Sequence, residues 1–293
     1  MAEVTPSKHP MPSLDEMVKN KNVEDLPWFQ KDLGNLKPDA RELFEKYSKI
    51  PTGDVISHVV ELRDKAFKVF PYPCLGQWGF LNLSIRQSSK YNDILERVKA
   101  GDKYLDLGCC VGQDIRTLVY DGAPSENTYG SDLEKEFMEV GYDLFLDKQT
   151  LKTDFITADV LDPNSELKQL DGIIDIIHIA SVLHLFDWDE QLEIAKRIIA
   201  LLKAKSGSLV VGRQTGNLTA GVMPPKSDTD KRRFLHNADS FVKLWDQAGE
   251  ETGTKWETEA SLANEDVNSK WDAKVQAMLP PGMRHLSFSV RRI

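Results

Sequence analysis

Lys103-Tyr104-Leu105-Asp106-Leu107-Gly108-Cys109-Cys110-Val111-Gly112-Gln113-Asp114 decides the fold. A short apolar run ends in an acid and a glycine-bearing turn follows. Ile115-Arg116-Thr117-Leu118-Val119 then continues at helical spacing, which predicts strand, tight turn and helix. Such a unit opens a nucleotide-type βαβ fold, in which turn glycines let backbone approach a ligand and the helix N-terminus presents N–H groups to it.

Spacing narrows the ligand. A dinucleotide fingerprint places glycine where this chain has Cys110 and Gln113, and no phosphate-cradling Gly-x-x-x-x-Gly-Lys is present. Asp106 to Gly112, an Asp-x-Gly-x-x-x-Gly pattern, resembles motif I of the class I S-adenosylmethionine-dependent methyltransferases, with Cys110 in place of the usual middle glycine. Asn127 to Asp132 reads as a second strand ending in an acid, where such a site puts a carboxylate on the ribose hydroxyls. Asp154 to Val160 reads as a third strand ending in Asp159. Ile173 to Ala180 is a near-continuous apolar run, as a central parallel strand buried on both faces requires. The resemblance implies S-adenosyl-L-methionine as cofactor, Asp159 beside the adenine amino group, and contacts from Asp106, Gly108, Cys109, Cys110, Gly112, Asp114, Asp132, Leu133, Asp159 and Val160.

The 293 residues carry a net charge of −9 and are 41% hydrophobic, ample for a core and without a basic stripe for nucleic acid. A small organic acceptor suits that balance. The first residues lack the apolar core of a signal peptide, and no apolar run reaches the ~18 residues of a membrane span, so a cytoplasmic protein is expected. Cys74, Cys109 and Cys110 match neither a disulfide framework nor a metal site. The adjacent pair reads as small residues packing the turn.

Residues 1–36 read as a loose arm, with Trp28 and Phe29 a candidate anchor. Residues 37–100 read as a helical cap, in which Val55, Val59, Leu62 and Ala66 share one helix face. Residues 101–293 form the core, with a lid insertion at about 215–236. Within the cap, Trp78 and Phe80 are candidates for a wall of the site, and Arg86 for a carboxylate partner. His184 follows the fourth strand, where α/β sheets keep their ligands, and is the candidate general base. His178, inside that strand, reads as structural. Asp187 and Glu190 form a capping-box pattern before the stripe Leu192, Ala195, Ile198, Ile199, Leu202. Gly207 to Gln214 is a fifth strand that opens into a patternless stretch from Thr215 to Arg233; Arg213 and Gln214 at the strand's end and Asn217 beyond are offered to an acceptor, while Lys and Arg around 226–233 read as solvated. A strand at 255–260, a helix at 271–279 and an antiparallel strand at 285–290 complete the expected α/β sheet, Rossmann-like and mostly parallel, with helices on both faces.

A closer likeness rests on Tyr104 to Asp132, Leu185 to Trp188, Val211 to Gln214 and Glu250 to Trp256. These stretches resemble a fungal family of secondary-metabolite methyltransferases that includes methyl-ester-forming enzymes of meroterpenoid biosynthesis. The resemblance implies transfer to oxygen, as carboxylate, phenol or alcohol, with nitrogen and carbon acceptors open. A carboxylate, ionised at neutral pH, requires no base, whereas a hydroxyl does. The competing classes are a nicotinamide-dependent reductase, against which the glycine spacing counts, and a non-catalytic binding or regulatory module on the same fold.

Overall fold

The computed structural model describes residues 23–223, 232–270, 276 and 279–293. Four parallel strands alternate with helices: β1 (Tyr104–Leu107), β2 (Thr128–Asp132), β3 (Asp154–Thr157) and β4 (Ile176–Ala180). Then come β5 (Leu209–Asn217), a small pair β6 (Gly221–Met223) and β7 (Arg233–Leu235), β8 (Trp256–Leu262) and β9 (Met283–Arg292). The sheet runs β3-β2-β1-β4-β5-β9-β8, with β9 antiparallel to both neighbours. The last strand in the chain is thus the antiparallel one, and it lies inside the sheet with β8 at the edge. β4 is buried through Ile179 because helices cover both of its faces.

The cap contains α1 (Pro38–Glu42), α2 (Val55–Val69) and α3 (Pro73–Gly76), and α4 (Tyr91–Lys99) leads into β1. Val55, Val59, Leu62 and Ala66 of α2 are all buried. They join Val111 of the glycine loop and Phe137, Val140, Leu144 and Phe145 of α6 (Lys135–Phe145) in one cluster, so the cap is seated on the loop. Packing begins earlier than residue 37. Leu26 and Trp28 are buried, Trp28 Nε1 donates to Pro71 O at 2.8 Å, and the described part of the expected loose arm is therefore docked.

On the sheet's other face lie α7 (Trp188–Leu201) and α8 (Ala238–Thr252). α7 starts at the predicted box: Asp187 Oδ1 accepts from Glu190 N–H at 3.0 Å. Its stripe of Leu192, Ala195, Ile198, Ile199 and Leu202 is buried, each aliphatic side chain larger than alanine contributing roughly 1.5–3 kcal/mol. α5 (Gln113–Tyr120) follows the glycine loop.

Two strand ends near the site differ from the sequence reading. β3 stops at Thr157, leaving Asp159 in the loop beyond it. β5 continues through Thr215 to Asn217 because Arg284 and Met283 of β9 pair with it there, so the expected lid begins as strand. β6 and β7 then form the foot of a hairpin, and residues 224–231 lie outside the described residues, as does most of the helix expected at 271–279. No helix among the described residues is long and apolar enough to cross a membrane.

Candidate active site

The loop after β1 is shaped by backbone that only a few residues tolerate. Gly108 has φ +77°, and a Cβ there would stand 2.3 Å from Val182 Cγ2. Its N–H and that of Cys109 both donate to Ser131 O, at 2.7 and 2.9 Å, which binds the loop to β2. Cys110 takes a left-handed φ of +50°, the conformation a glycine would adopt, at a cost of about 1–2 kcal/mol. Its N–H donates to Asp132 Oδ2 at 2.7 Å, so the loop and the acid at the end of β2 are joined directly. Burial pushes the thiols of Cys109 and Cys110 well above the ordinary range, and that of Cys74 to about 11, which keeps all three protonated.

Asp132 Oδ1 accepts a further N–H, from Glu134 at 3.2 Å. Beside it Leu133 is 57% exposed, an apolar side chain left uncovered by the fold. With Thr157, Ala158, Asp159 and Glu166 it lines an open depression of about 340 Å³ at the ends of β2 and β3. Asp159 is exposed, its Oδ1 accepting from Leu161 N–H at 2.8 Å, while Val160 packs against the main core. A flat aromatic group laid on Leu133 in this depression would meet the Asp159 carboxylate, and Asp132 precedes Leu133 in the chain.

Beneath the loop Asp106 pairs across the sheet with His178, Oδ1 to Nδ1 at 2.8 Å, and the other oxygen, Oδ2, is buried without a partner. Burial pulls the His178 imidazole down, but the Asp106 charge overrides it and holds the group above its ordinary value. Ser84 Oγ lies 3.4 Å from His178 Nε2 and donates to Asp114 Oδ2 at 2.8 Å. Asp106, Asp114 and His178 thus present one ligand-type atom each within 4.8 Å of one another, already joined by hydrogen bonds through Ser84. The Asp114 carboxylate accepts from Ile85 N–H at 2.8 Å, Ser84 and Gln113, and ties the cap to α5.

Arg86, expected at a ligand carboxylate, forks onto Asp121 at 2.7 and 2.8 Å. Trp78 and Phe80 are buried in the cap cluster, with Trp78 Nε1 donating to Asp32 O at 3.1 Å and the Arg63 guanidinium 3.6 Å over its ring. Asn217 is spent on the loop, donating to Pro281 O and accepting from Thr219 N–H, both at 3.0 Å. All four side chains are engaged within the protein itself. Gln214 differs. It is 1% exposed, and neither of its amide atoms has a hydrogen-bond partner. His184 sits just past β4 in a short 3-10 turn with Nδ1 buried and unpartnered. Burial pulls its imidazole down to about 4, with the charges of Arg233 and His285 adding to the effect.

Sequence reading passed over Arg116 and Ser84. Arg116, fully buried, pairs with Asp147 at 2.7 Å and donates to Val111 O at 2.9 Å, so one guanidinium fixes the loop's far side. Tyr47 of the cap donates to the same Asp147 at 2.6 Å. An arginine one turn into the helix after a glycine loop was the available signal, but its acid lies 31 residues away.

Residues 28–81 match the meroterpenoid methyltransferase N-terminal domain and residues 105–205 match a methyltransferase domain. O-methyltransferase phiE of a fungal species is 46% identical, over 80% of this chain and 79% of its own length. Methyltransferase adrK of Penicillium roqueforti is 44% identical, over 87% and 93%. The asnovolin E/chermesin D methyltransferase nvfJ of Aspergillus novofumigatus is 47% identical, over 76% and 80%. Among solved structures, phosphoethanolamine N-methyltransferase 2 of Haemonchus contortus, in complex with S-adenosyl-L-methionine, shares the fold at a TM-score of 0.51. It is 15% identical, over 88% of this chain and 60% of that one.

Proposed function

The chain belongs to the fungal methyltransferase family of meroterpenoid type, and from that premise we propose that it esterifies a carboxylate on a small organic acceptor, using S-adenosyl-L-methionine. The cofactor supplies an activated methyl group on a sulfonium. The residues present suit it: a buried, unpartnered Asp106 Oδ2, a loop pressed too close for a side chain at Gly108, and an exposed Leu133 that shares a depression with Asp159. In this reading Asp132 holds the ribose hydroxyls, Leu133 and Asp159 take the adenine, and the loop from Gly108 to Gly112 lies along the methionine portion.

The observation that carries the choice of acceptor is the state of His184. An imidazole held near 4, with no hydrogen-bond partner on Nδ1 to orient it, is a weak base at neutral pH. A hydroxyl acceptor needs a base, and a carboxylate with a pKa of about 4 does not. His184 then acts as a neutral hydrogen-bond donor that orients the acceptor, and Gln214 offers it a buried amide. The protein's work is alignment and exclusion of water. Three free cysteines, kept protonated by burial, suit a reducing cytoplasm.

The test uses methyl-labelled cofactor with a panel of polyketide and terpenoid carboxylic acids and their phenol-only counterparts. The expected product releases labelled methanol in mild alkali, as an ester does. For the accepted acid, kcat stays flat from about pH 6 to 9, and His184→Gln retains at least about a tenth of it, a loss of about 1.4 kcal/mol or less. An alkali-stable product, or a rate that climbs with a single ionisation and vanishes in His184→Gln, contradicts the proposal.

A further inference from the structure

Among the described residues Arg213 is a cation without a counter-ion. It lies on β5 opposite Ala180, at the end of the sheet where β4 gives way to the His184 turn. Among the described residues it forms no ion pair. Its one hydrogen bond is from Nη1 to Gln87 Oε1 at 3.2 Å, and its Nε is buried with no partner. A guanidinium stays charged in proteins and offers five N–H donors, so a half-buried one with a single neutral partner is under-satisfied. The acid whose charge acts on it, Asp114, already accepts from Ser84, Ile85 and Gln113.

Register puts this cation in company with the opposite deficit. Asp106, His178 and Val211 lie side by side across β1, β4 and β5, and Arg213 is one pleat beyond Val211 on the same sheet face. Neighbouring strands lie ~4.8 Å apart and same-face residues ~6.7 Å along a strand. Asp106 and Arg213 therefore start about 12 Å apart at their Cα atoms. Asp106 bonds His178, and the charge of Arg213 acts on the same imidazole. An anion short of a donor and a cation short of an acceptor thus lie on one face of the sheet, to either side of His178, with Ser84 of the cap against that histidine. His184 belongs to a separate neighbourhood, with Arg233 and His285. The complement of such a pair is an α-amino-acid zwitterion.

We infer that Arg213 binds the carboxylate of the cofactor's methionine portion, while Asp106 Oδ2 receives its ammonium. This rests on the cofactor reading above and adds a β5 residue to the cofactor site. The other source of a carboxylate is the acceptor, and the test separates the two.

The experiment is calorimetric titration of the full chain and of Arg213→Gln with S-adenosylhomocysteine and with 5′-methylthioadenosine, which keeps adenosine and thioether but lacks the amino acid. Arg213→Gln is expected to weaken S-adenosylhomocysteine about tenfold or more, as loss of a charged hydrogen bond does, and to leave 5′-methylthioadenosine unchanged. Arg213→Lys should fall between. Unchanged binding of both compounds overturns the inference and leaves Arg213 to the acceptor. Equal weakening of both also overturns it, since the residue then merely supports the fold. If the unsubstituted protein binds neither compound, the cofactor reading itself has failed, and this inference with it.

Discussion

Gly108 combines a left-handed backbone with a close neighbour in the glycine loop. Its positive φ admits few side chains, and the space a Cβ would fill belongs to Val182. Gly108→Ala should therefore destabilise the protein by about 2–4 kcal/mol, combining left-handed strain with overpacking, and weaken cofactor binding more than tenfold. Urea unfolding and titration of the same sample check both. Cys110 shows the converse. Its left-handed backbone persists without glycine because its N–H is fixed on Asp132. Trp78, Leu83 and Ser181 are also left-handed, so four of the strained non-glycine positions fall in the cap wall, the glycine loop and the β4 exit that surround the site. The glycine spacing was readable in sequence. The strain was not, because a cysteine letter carries no sign of its φ.

Elements were legible where their cause is local. The box at Asp187 and Glu190 and the apolar stripe behind it specify α7 within one stretch of chain. Asp187→Ala should lower global stability by about 1 kcal/mol through the lost cap while leaving cofactor affinity unchanged, which denaturant midpoints and titration will resolve. Where the cause is distant, the sequence was silent. Thr215, Gly216 and Asn217 read as loop residues, yet β9 supplies a paired partner for each and extends β5 by three. Arg86 reads as a ligand arginine until Asp121 meets it from 35 residues away. Charges and strand ends are settled by partners that folding brings in, and no spacing rule reports them.

At the scale of the molecule, cap and core form one site. Tyr47 and Arg116 share Asp147 beneath the glycine loop, and Ser84 and Ile85 reach Asp114 at its other end. The loop is thereby clamped from both sides, preorganised before any ligand arrives, which suits a reaction that asks mainly for alignment. Asp106 and Asp132 lie on the neighbouring strands β1 and β2, and two buried polar atoms without a partner, Asp106 Oδ2 and Arg213 Nε, lie on β1 and β5 to either side of β4. The most direct test of this account is equilibrium binding of S-adenosyl-L-methionine to the unsubstituted protein and to Asp132→Ala, with NAD as control. The account predicts binding of the methyl donor alone, weakened about tenfold or more by Asp132→Ala through loss of the charged ribose contacts. Binding of NAD instead, or an affinity for the methyl donor that Asp132→Ala leaves unchanged, would contradict it.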